Sequence, residues 1–360
     1  YVLGGRAMAI VYKREELERY VRSAVRVAED TPLLVDRFLE DAFEMDVDCV
    51  CDGEDVRIAA IMEQIELTGV HSGDSACVIP TVMVGEDALV TLREYTRRLA
   101  RALGTVGCLN IQYAMLNGDV YVIEANPRAS RTVPYVSKST GVPWVRVACE
   151  VISGHKLEDM DIPDEPRLRG HFCKEVVLPF VKFPNTPAVL GPEMRSTGEV
   201  MGMDESFGMA FAKAQMAAGN GLPTTGTVFL SVNDRDKANL VPIAQEFAEL
   251  GFKLVGTRGT ATYLREIGLD VKSVYKINEG RPNGVDHIIN GEIALVINTP
   301  LGGPSFSDEH LLRQASIAYG VPMLTTLSAA KAATRAIKAL GQQKLQVKSL
   351  QERWRDRVVT

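Results

Sequence analysis

The chain has 360 residues, room for two domains or slightly more. Apolar residues make up 46% and charged residues 24%, the balance of a globular protein with a core. A formal net charge of -6 leaves no basic footprint and argues against nucleic acid as the main partner. No uninterrupted apolar run reaches membrane-spanning length, and no secretory leader precedes Tyr1, so no membrane partner is expected. The sequence opens without Met on the strand-like Tyr1-Val2-Leu3, so a piece of a longer chain is expected. The six cysteines, Cys49, Cys51, Cys77, Cys108, Cys149 and Cys173, show no metal spacing. Cys49 and Cys51 are expected on one buried strand face, and a reducing compartment, most simply the cytoplasm, follows.

Taken in order, Gly4-Gly5 permits a tight backbone turn. Arg6 follows it, and Val11-Tyr12 closes that strand. Residues 15–28 set Leu17, Val21, Ala24 and Ala28 on one helical face. Pro32-Leu33-Leu34-Val35 reads as a short buried strand. The run DRFLEDAFE, 36–44, is acidic, and by itself it and nearby Asp46 read as a solvated loop. A strand over 47–51 follows, then an Asp52-Gly53 turn and an alternating strand over 56–62. In ELTGVHSGD, 66–74, the small residues Gly69, Ser72 and Gly73 allow close backbone approach to a ligand. Residues 88–103 form a helix with Leu92, Leu99 and Leu103 inward, Arg93, Arg97, Arg98 and Arg101 outward, and Gly104 as its stop.

The stretch LNIQYAMLNGDVYVIEANPRASRTVP, 109–134, carries the chemistry. Asn117-Gly118 between two apolar-rich runs signals a hairpin. A two-residue loop would set Gln112 opposite Ile123. A three-residue loop, Asn117-Gly118-Asp119, sets Leu116 opposite Val120, Gln112 opposite Glu124 and Asn110 opposite Asn126, and is therefore expected. Side chains alternate faces. One face then carries Asn110, Gln112, Val122, Glu124 and Asn126. The other, carrying Leu109, Ile111, Tyr113, Tyr121, Ile123 and Ala125, is expected in the core. One carboxylate among amide oxygens suits a hard cation that also binds phosphate. Pro127 ends the strand. Arg128 and Arg131 follow, with guanidinium groups fit for phosphate or carboxylate oxygens. Taken alone, this stretch reads equally as a solvated sheet face with surface arginines.

Residues 142–153 form a helix and 159–169 a polar loop. The Gly- and Pro-dense 174–203 reads as irregular turns, with Glu193 and Arg195 as buried structural ions. A helix over 206–218 leads to a linker at 220–225. From Thr227 strands and helices alternate: strand 228–232, helix 236–250, strand 253–255, then Thr257-Arg258-Gly259-Thr260 opening a helix to Ile267. Further short strands are expected at 274–277, 294–297 and 323–324. Such alternation implies a mostly parallel sheet covered on both faces. Strand, glycine-containing turn and helix start make an anion-binding arrangement, since first-turn N–H groups are free.

Several long motifs together resemble the large subunit of carbamoyl-phosphate synthetase. They are YVLGGRAM, ELTGVHSGD, EANPRASRTVPYVSKSTGVP, KEVVLPFVKFP and LGPEMRSTGEVMGM, spread along the first part, and with the second-part motifs the resemblance covers nearly the whole chain. The TVPYVSKSTGVP continuation is similar to the C-terminal, carbamate-phosphorylating half. Ala125 stands where most members have Val. TRGTA, NEGRP and INTPLGG resemble the methylglyoxal-synthase-like regulatory domain that ends these chains.

The fold implied is α/β and α+β. An incomplete ATP-grasp domain over 1–222, with its extension 154–222, precedes a doubly wound methylglyoxal-synthase-like domain over 223–360. The reaction implied is carbamate and ATP to carbamoyl phosphate and ADP, feeding pyrimidine and arginine synthesis. ATP is substrate, two Mg²⁺ or Mn²⁺ ions assist, and K⁺ is a further candidate ion. The resemblance implies that Arg6, Arg37, Leu39, Glu44, Gly69, Val70, His71, Ser72, Gln112 and Glu124 bind ATP. It assigns the metal to Gln112, Glu124 and Asn126, and the catalytic roles to Glu124, Arg128 and Arg131. Lys237, Thr257, Thr260, Lys276 and Asn298 would hold a UMP- or IMP-type effector, with Pro300 where many members have a phosphate-binding Thr. Glu66 and Asp74 lie where some relatives bind ornithine. TRGTAT offers no aspartate for methylglyoxal synthase chemistry. The partners implied are a glutaminase small subunit and the other half of the large subunit, in a higher oligomer when complete. Two further readings are another ATP-grasp ligase, such as a biotin carboxylase relative, and a fragment that only binds nucleotide effector.

Overall fold

The computed structural model describes residues 8–25, 33–40, 42–67, 69–182, 190–299 and 303–355. Its first part runs α1 (Arg14–Val25), β1 (Phe43–Asp52), β2 (Val56–Leu67), β3 (Cys77–Ile79), α2 (Glu86–Ala102), β4 (Val106–Leu116), β5 (Asp119–Asn126), α3 (Val133–Thr140), α4 (Trp144–Ile152), β6 (His171–Val177), β7 (Gly198–Asp204) and α5 (Phe207–Ala217). The seven strands form one sheet in the order β5-β4-β1-β2-β3-β6-β7, antiparallel throughout.

In β1, FEMDVDCVCD, the strand period of two separates two surfaces. Met45, Val47, Cys49 and Cys51 join Leu92 and Ala100 of α2 in one core, so the two cysteines share a buried face as expected. Val50 joins Met62, Val136, Trp144 and Val147 in the core under α3 and α4. Asp46 and Asp48 fall on that second surface and are buried as well, so Asp46 belongs to a strand and not to a solvated loop. β2 is buried along most of its length and does not alternate.

The hairpin corrects one expectation. Its loop has two residues, Asn117 and Gly118, with φ of 54° and 91°, the twist that suits tight hairpins. Leu116 pairs with Asp119 and Tyr113 with Val122; the register then shifts, so that Gln112 still faces Glu124 and Asn110 faces Asn126. Ile123 is the extra residue of a bulge. Because β5 is the sheet edge, Tyr121 and Ile123 are 41% and 47% exposed rather than in the core.

Other local readings also shift. Residues 8–12 and 33–35 form no strand, and Leu33, Leu34 and Val35 are exposed. Leu103 is exposed at the end of α2. Glu193 and Arg195 pair at 2.9 Å but are about half exposed, so they are not buried ions. Helix α3, not expected, begins with Pro134 in its first turn and stops at Gly141, whose φ of 72° suits glycine.

The second part runs β8 (Thr227–Val232), α6 (Lys237–Glu249), β9 (Lys253–Thr257), α7 (Arg258–Glu266), β10 (Val271–Val274), α8 (Gly284–Ile289), β11 (Leu295–Thr299), α9 (Gly303–Tyr319), β12 (Met323–Leu324), α10 (Leu327–Gln342) and α11 (Leu350–Arg355). Its five strands are all parallel, in the order β10-β9-β8-β11-β12. Leu240, Phe247, Leu264 and Ala333 cover one face, and Ile288, Leu312 and Ala315 cover the other. This is the doubly wound arrangement expected from the alternation.

The two sheets share a core. Met209, Phe211 and Ala214 of α5 belong to the same apolar cluster as Val228, Leu230 and Ile337. Glycine permits the close fit on both sides of α5. A Cβ on Gly202 would lie 2.1 Å from the Ala210 carbonyl, and one on Gly208 would lie 2.4 Å from the Arg335 carbonyl of α10. Trp354 of α11 returns to cover Gly141 of the first unit. Among the described residues no helix is long and apolar enough to cross a membrane.

Two predictions follow from this joint. Gly208→Ala forces α5 and α10 apart, so thermal unfolding should show Tm lower by roughly 5–10 °C, the effect of an overpacked contact; an unchanged Tm would show that the joint yields freely. Glu175 on β6 is buried beside it, bonded to Gln215 and to the Val176 N–H, and burial raises its carboxyl from 4.5 to about 7. The folded state thus favours the protonated form. This contribution is complete below 4.5 and is lost as pH rises through about 7. Glu175→Gln should therefore stabilise the protein above pH 7, by roughly 3 kcal/mol at most, with the advantage vanishing below 4.5. Denaturant titrations at both ends of that range would detect it, and a gain confined to acid pH would refute it.

Candidate active site

The polar surface begins at the edge hairpin. Cross-strand pairing sets Gln112 of β4 opposite Glu124 of β5. Glu124 is exposed, and its Oε1 accepts from Asn126 Nδ2 at 2.8 Å. Asn126 Oδ1 in turn accepts from Arg128 Nη2 at 3.3 Å. Gln112 Nε2 donates to Ser72 Oγ at 3.0 Å, which leaves its Oε1 as the free acceptor of that amide. The hairpin and the 71–74 turn, forty residues apart in sequence, thus meet in one place.

His71 caps that turn: its Nδ1 accepts the Gly73 N–H at 2.9 Å. Burial pushes the imidazole pKa down, opposed by Asp74 and reinforced by Arg131, so the ring is neutral at pH 7 and offers an Nε2–H donor. A Cβ on Gly73 would lie 3.0 Å from His71 Nδ1 and 3.3 Å from Arg131 Nη1, so a bare backbone here lets Arg131 lie over the turn. Lys174, buried on β6, donates to the carbonyls of Ser75 at 2.8 Å and Ser72 at 3.4 Å and anchors the turn from beneath. Asp74 accepts the N–H groups of Arg195 and Ser196 at 2.6 and 2.7 Å, so it braces the neighbouring loop. Glu66 lies at the junction with the second sheet, bonded to Thr325 at 3.5 Å.

Glu44 stands at the near end of β1, where burial, then Asp46 and Glu124, push its carboxyl up to about 8. Phe38 and Ile10 close over Gly69: its missing Cβ would lie 2.9 Å from Ile10 Cδ1 and 3.1 Å from the Phe38 ring. Arg37 is exposed and Leu39 half-buried on the same segment. Arg6 lies outside the described residues. Sequence reasoning missed the layer underneath. Asp46 is bonded to Gln64, Asn110 bridges Asp46 and Asp48, and Ser130 and Thr132 both reach Asp48. The signal was present as Glu44, Asp46 and Asp48 at every second position of one strand.

Oxygen donors converge here, with one carboxylate, Glu124, amides at Gln112 and Asn126, and no ring of side chains. Among the described residues no group of three or more His, Cys, Asp or Glu forms a metal site. This donor set fits a hard divalent ion that takes much of its coordination from substrate phosphates.

A second cleft opens at the carboxyl ends of the parallel strands, where such sheets bind ligands. Ser231, Asn233, Thr257, Lys276, Asn298 and Thr299 line it. Asn298 Nδ2 is buried without a partner there. Of the expected residues, Thr257, Lys276 and Asn298 come together in the cleft. Thr260 lies behind it, bonded to Thr257 and to the Val232 backbone, and Lys237 pairs with Asp234 at 2.6 Å. Pro300 lies outside the described residues.

Comparison with known proteins agrees with both halves. The carbamoyl-phosphate synthase L chain, ATP binding domain, matches residues 1–160, and the MGS-like domain matches residues 239–325. Carbamoyl phosphate synthase large chains from Archaeoglobus fulgidus and Methanothermobacter thermautotrophicus are each 52% identical over 98% of this chain. The large chain from Synechocystis is likewise 52% identical over 98%. In each case the match covers 33% of the relative, so the chain spans about a third of their length. Among solved structures, a biotin carboxylase–nucleotide complex from Campylobacter jejuni superposes with TM-score 0.48 and 16% identity. It covers 60% of this chain and 55% of that one, too remote to transfer the role of any residue. Two successive domain matches and relatives that share half their residues along nearly all of its length show that the chain belongs to the family of carbamoyl phosphate synthase large chains.

Proposed function

We propose that this chain supplies the carbamate-phosphorylating site of a carbamoyl phosphate synthase, as the C-terminal portion of its large chain, together with a nucleotide-responsive regulatory unit. The observation that carries this reading is the meeting of Gln112, Glu124 and Asn126 with Ser72, His71 and Arg131 at one place by the sheet edge, with Glu124 and Arg131 exposed and Asn126 buried beneath. In the reaction a carbamate oxygen attacks the γ-phosphorus of ATP, the bond to the β-bridging oxygen breaks, and ADP leaves. Such transfers need positioning and charge neutralisation more than covalent help. Mg²⁺ or Mn²⁺, held by Glu124 with Gln112 and Asn126, would supply charge neutralisation for the phosphates, and K⁺ is a further candidate ion.

The neutral His71 donates through Nε2–H, and Ser72 lies beside it, both toward the nucleotide. Glu44, protonated at pH 7 in the free protein, offers a donor and an acceptor to the ribose diol. Arg37, Leu39, Gly69 and Val70 line the approach, with Arg6 as a phosphate contact. Arg128 and Arg131 hold carbamate and the transferring phosphoryl group. Residues 1–222 and 223–360 act as the two functional units. The rest of the large chain and a glutaminase subunit are the partners, the last supplying nitrogen for pyrimidine and arginine synthesis in the cytoplasm. The six free cysteines accord with a reducing compartment.

In the complete synthase, Glu124→Gln should lower carbamoyl phosphate formation by about 100-fold or more, with ATP binding reduced less; unchanged synthesis would remove Glu124 from the mechanism. For the second cleft, Thr257, Lys276 and Asn298, aided by Thr260 and Lys237, are assigned to a UMP- or IMP-type effector. The unpartnered Asn298 amide supports this. Lys276→Ala should weaken UMP binding by about tenfold, or 1.4 kcal/mol, without changing ATP affinity in calorimetric titration. Equal UMP affinity in both proteins would sink the assignment.

A further inference from the structure

Asp48 sits in the middle of β1, buried, and its carboxylate gathers donors from two other segments. Asn110 Nδ2 of β4 donates at 2.9 Å. From the loop after β5, Ser130 Oγ lies 2.9 Å from both carboxylate oxygens and Thr132 Oγ1 donates at 2.5 Å. The two hydroxyls are themselves 2.7 Å apart. The residues on either side of Arg131 are thus drawn inward onto one buried anion. Arg131 between them is exposed, and its Nη1 reaches the 71–73 turn. Arg128, at the start of the same loop, is held by Asn126.

A buried carboxylate must be satisfied by hydrogen bonds, and here hydroxyls and an amide do so, with the Arg128 charge adding to them from further off. The hydroxyls of Ser130 and Thr132 come from one short loop, so satisfying the carboxylate also fixes that loop's backbone. Flanking a single arginine, they define the direction of the residue between them.

We propose that Asp48 is a positioning residue for the phosphoryl-transfer site: it touches no substrate, but through Ser130 and Thr132 it sets the loop so that Arg131 faces the 71–73 turn and the reacting groups. This rests on the functional reading above. It places Asp48, Ser130 and Thr132 upstream of the arginines in the same reaction.

The test uses the complete large chain and the back reaction, in which carbamoyl phosphate phosphorylates ADP, so that this site is read alone. Thr132→Val keeps the shape and removes the hydroxyl; Ser130→Ala removes the other; Thr132→Ser restores a donor. Arg131→Ala is the reference. The double variant Ser130→Ala/Thr132→Val should lower turnover by about 10- to 100-fold, the scale of a small misplacement, with KM for ADP within about twofold. Thr132→Ser should retain nearly full turnover. Asp48→Asn should match the double variant, and if it fails to fold the double variant carries the test. Full turnover in the double variant, while Arg131→Ala is inactive, overturns the positioning role. A fall in turnover, ADP affinity and Tm together, not relieved by Thr132→Ser, marks a merely structural cluster and also overturns it. An active Arg131→Ala chain overturns the functional reading, and this inference with it.

Discussion

A row of polar side chains buried beneath the sheet surface is the constraint on which the site depends. Asp46 and Asp48 are carboxylates removed from water, a costly arrangement unless each is hydrogen-bonded. Burial raises both pKa values, Asp46 to about 6, while Gln64, Asn110, Ser130 and Thr132 pull them back toward the charged form. Asn110, Ser130 and Thr132 belong to segments that also bear surface groups of the site. Asn110 sits two residues from Gln112, and Ser130 and Thr132 flank Arg131. Lys174 plays the matching part under the 72–75 turn, as a buried cation satisfied by carbonyls. The exposed groups are few, and the layer below ties their backbones to one another.

The second constraint is the close approach of backbones around α5. With no Cβ on Gly202 or Gly208, the helix lies against β7 on one side and α10 on the other. The apolar cluster that fills the remaining space runs from Ile65 and Val78 of the first sheet to Val228 and Ile337 of the second. The two units are therefore continuous in their packing although they differ in sheet type. The cleft of the parallel sheet thus belongs to a body whose core is shared with the antiparallel one. Glu66, on the strand leading to the 69–74 turn, meets Thr325 across that seam, and Ser328 donates to the Ile65 carbonyl at 2.7 Å.

The hairpin shows how a correct pairing was reached from an incorrect loop. Counting back from Gln112 and Glu124 demanded an extra residue, and the turn was the obvious place for it. The structure instead keeps the tight Asn117-Gly118 turn, where both residues take positive φ, and puts the extra residue at Ile123. A bulge and a longer loop are indistinguishable from polarity alone, because each shifts the register by one. The misplacement of Tyr121 and Ile123 in the core has a different cause: alternation reports which side chains share a face, not whether that face is covered, and β5 is an edge.

By themselves the residues determined what depends on short-range chemistry and long motifs. The βα alternation of the second half, the helix at 207–217, the paired faces of Cys49 and Cys51, and the membership of the family all lie in contiguous sequence. Tertiary structure decided whatever depends on segments far apart in the chain. It brought Ser72 to Gln112 across forty positions and Ser130 to Asp48 across 82. It buried Asp46, which reads as solvated beside the acidic run, and it joined the two units through a core shared across the irregular 220–225 connection. The physical reason is that burial and hydrogen-bond partnership are properties of the neighbourhood: a carboxylate costs nothing in water and must be answered donor by donor once a sheet and two helices close over it.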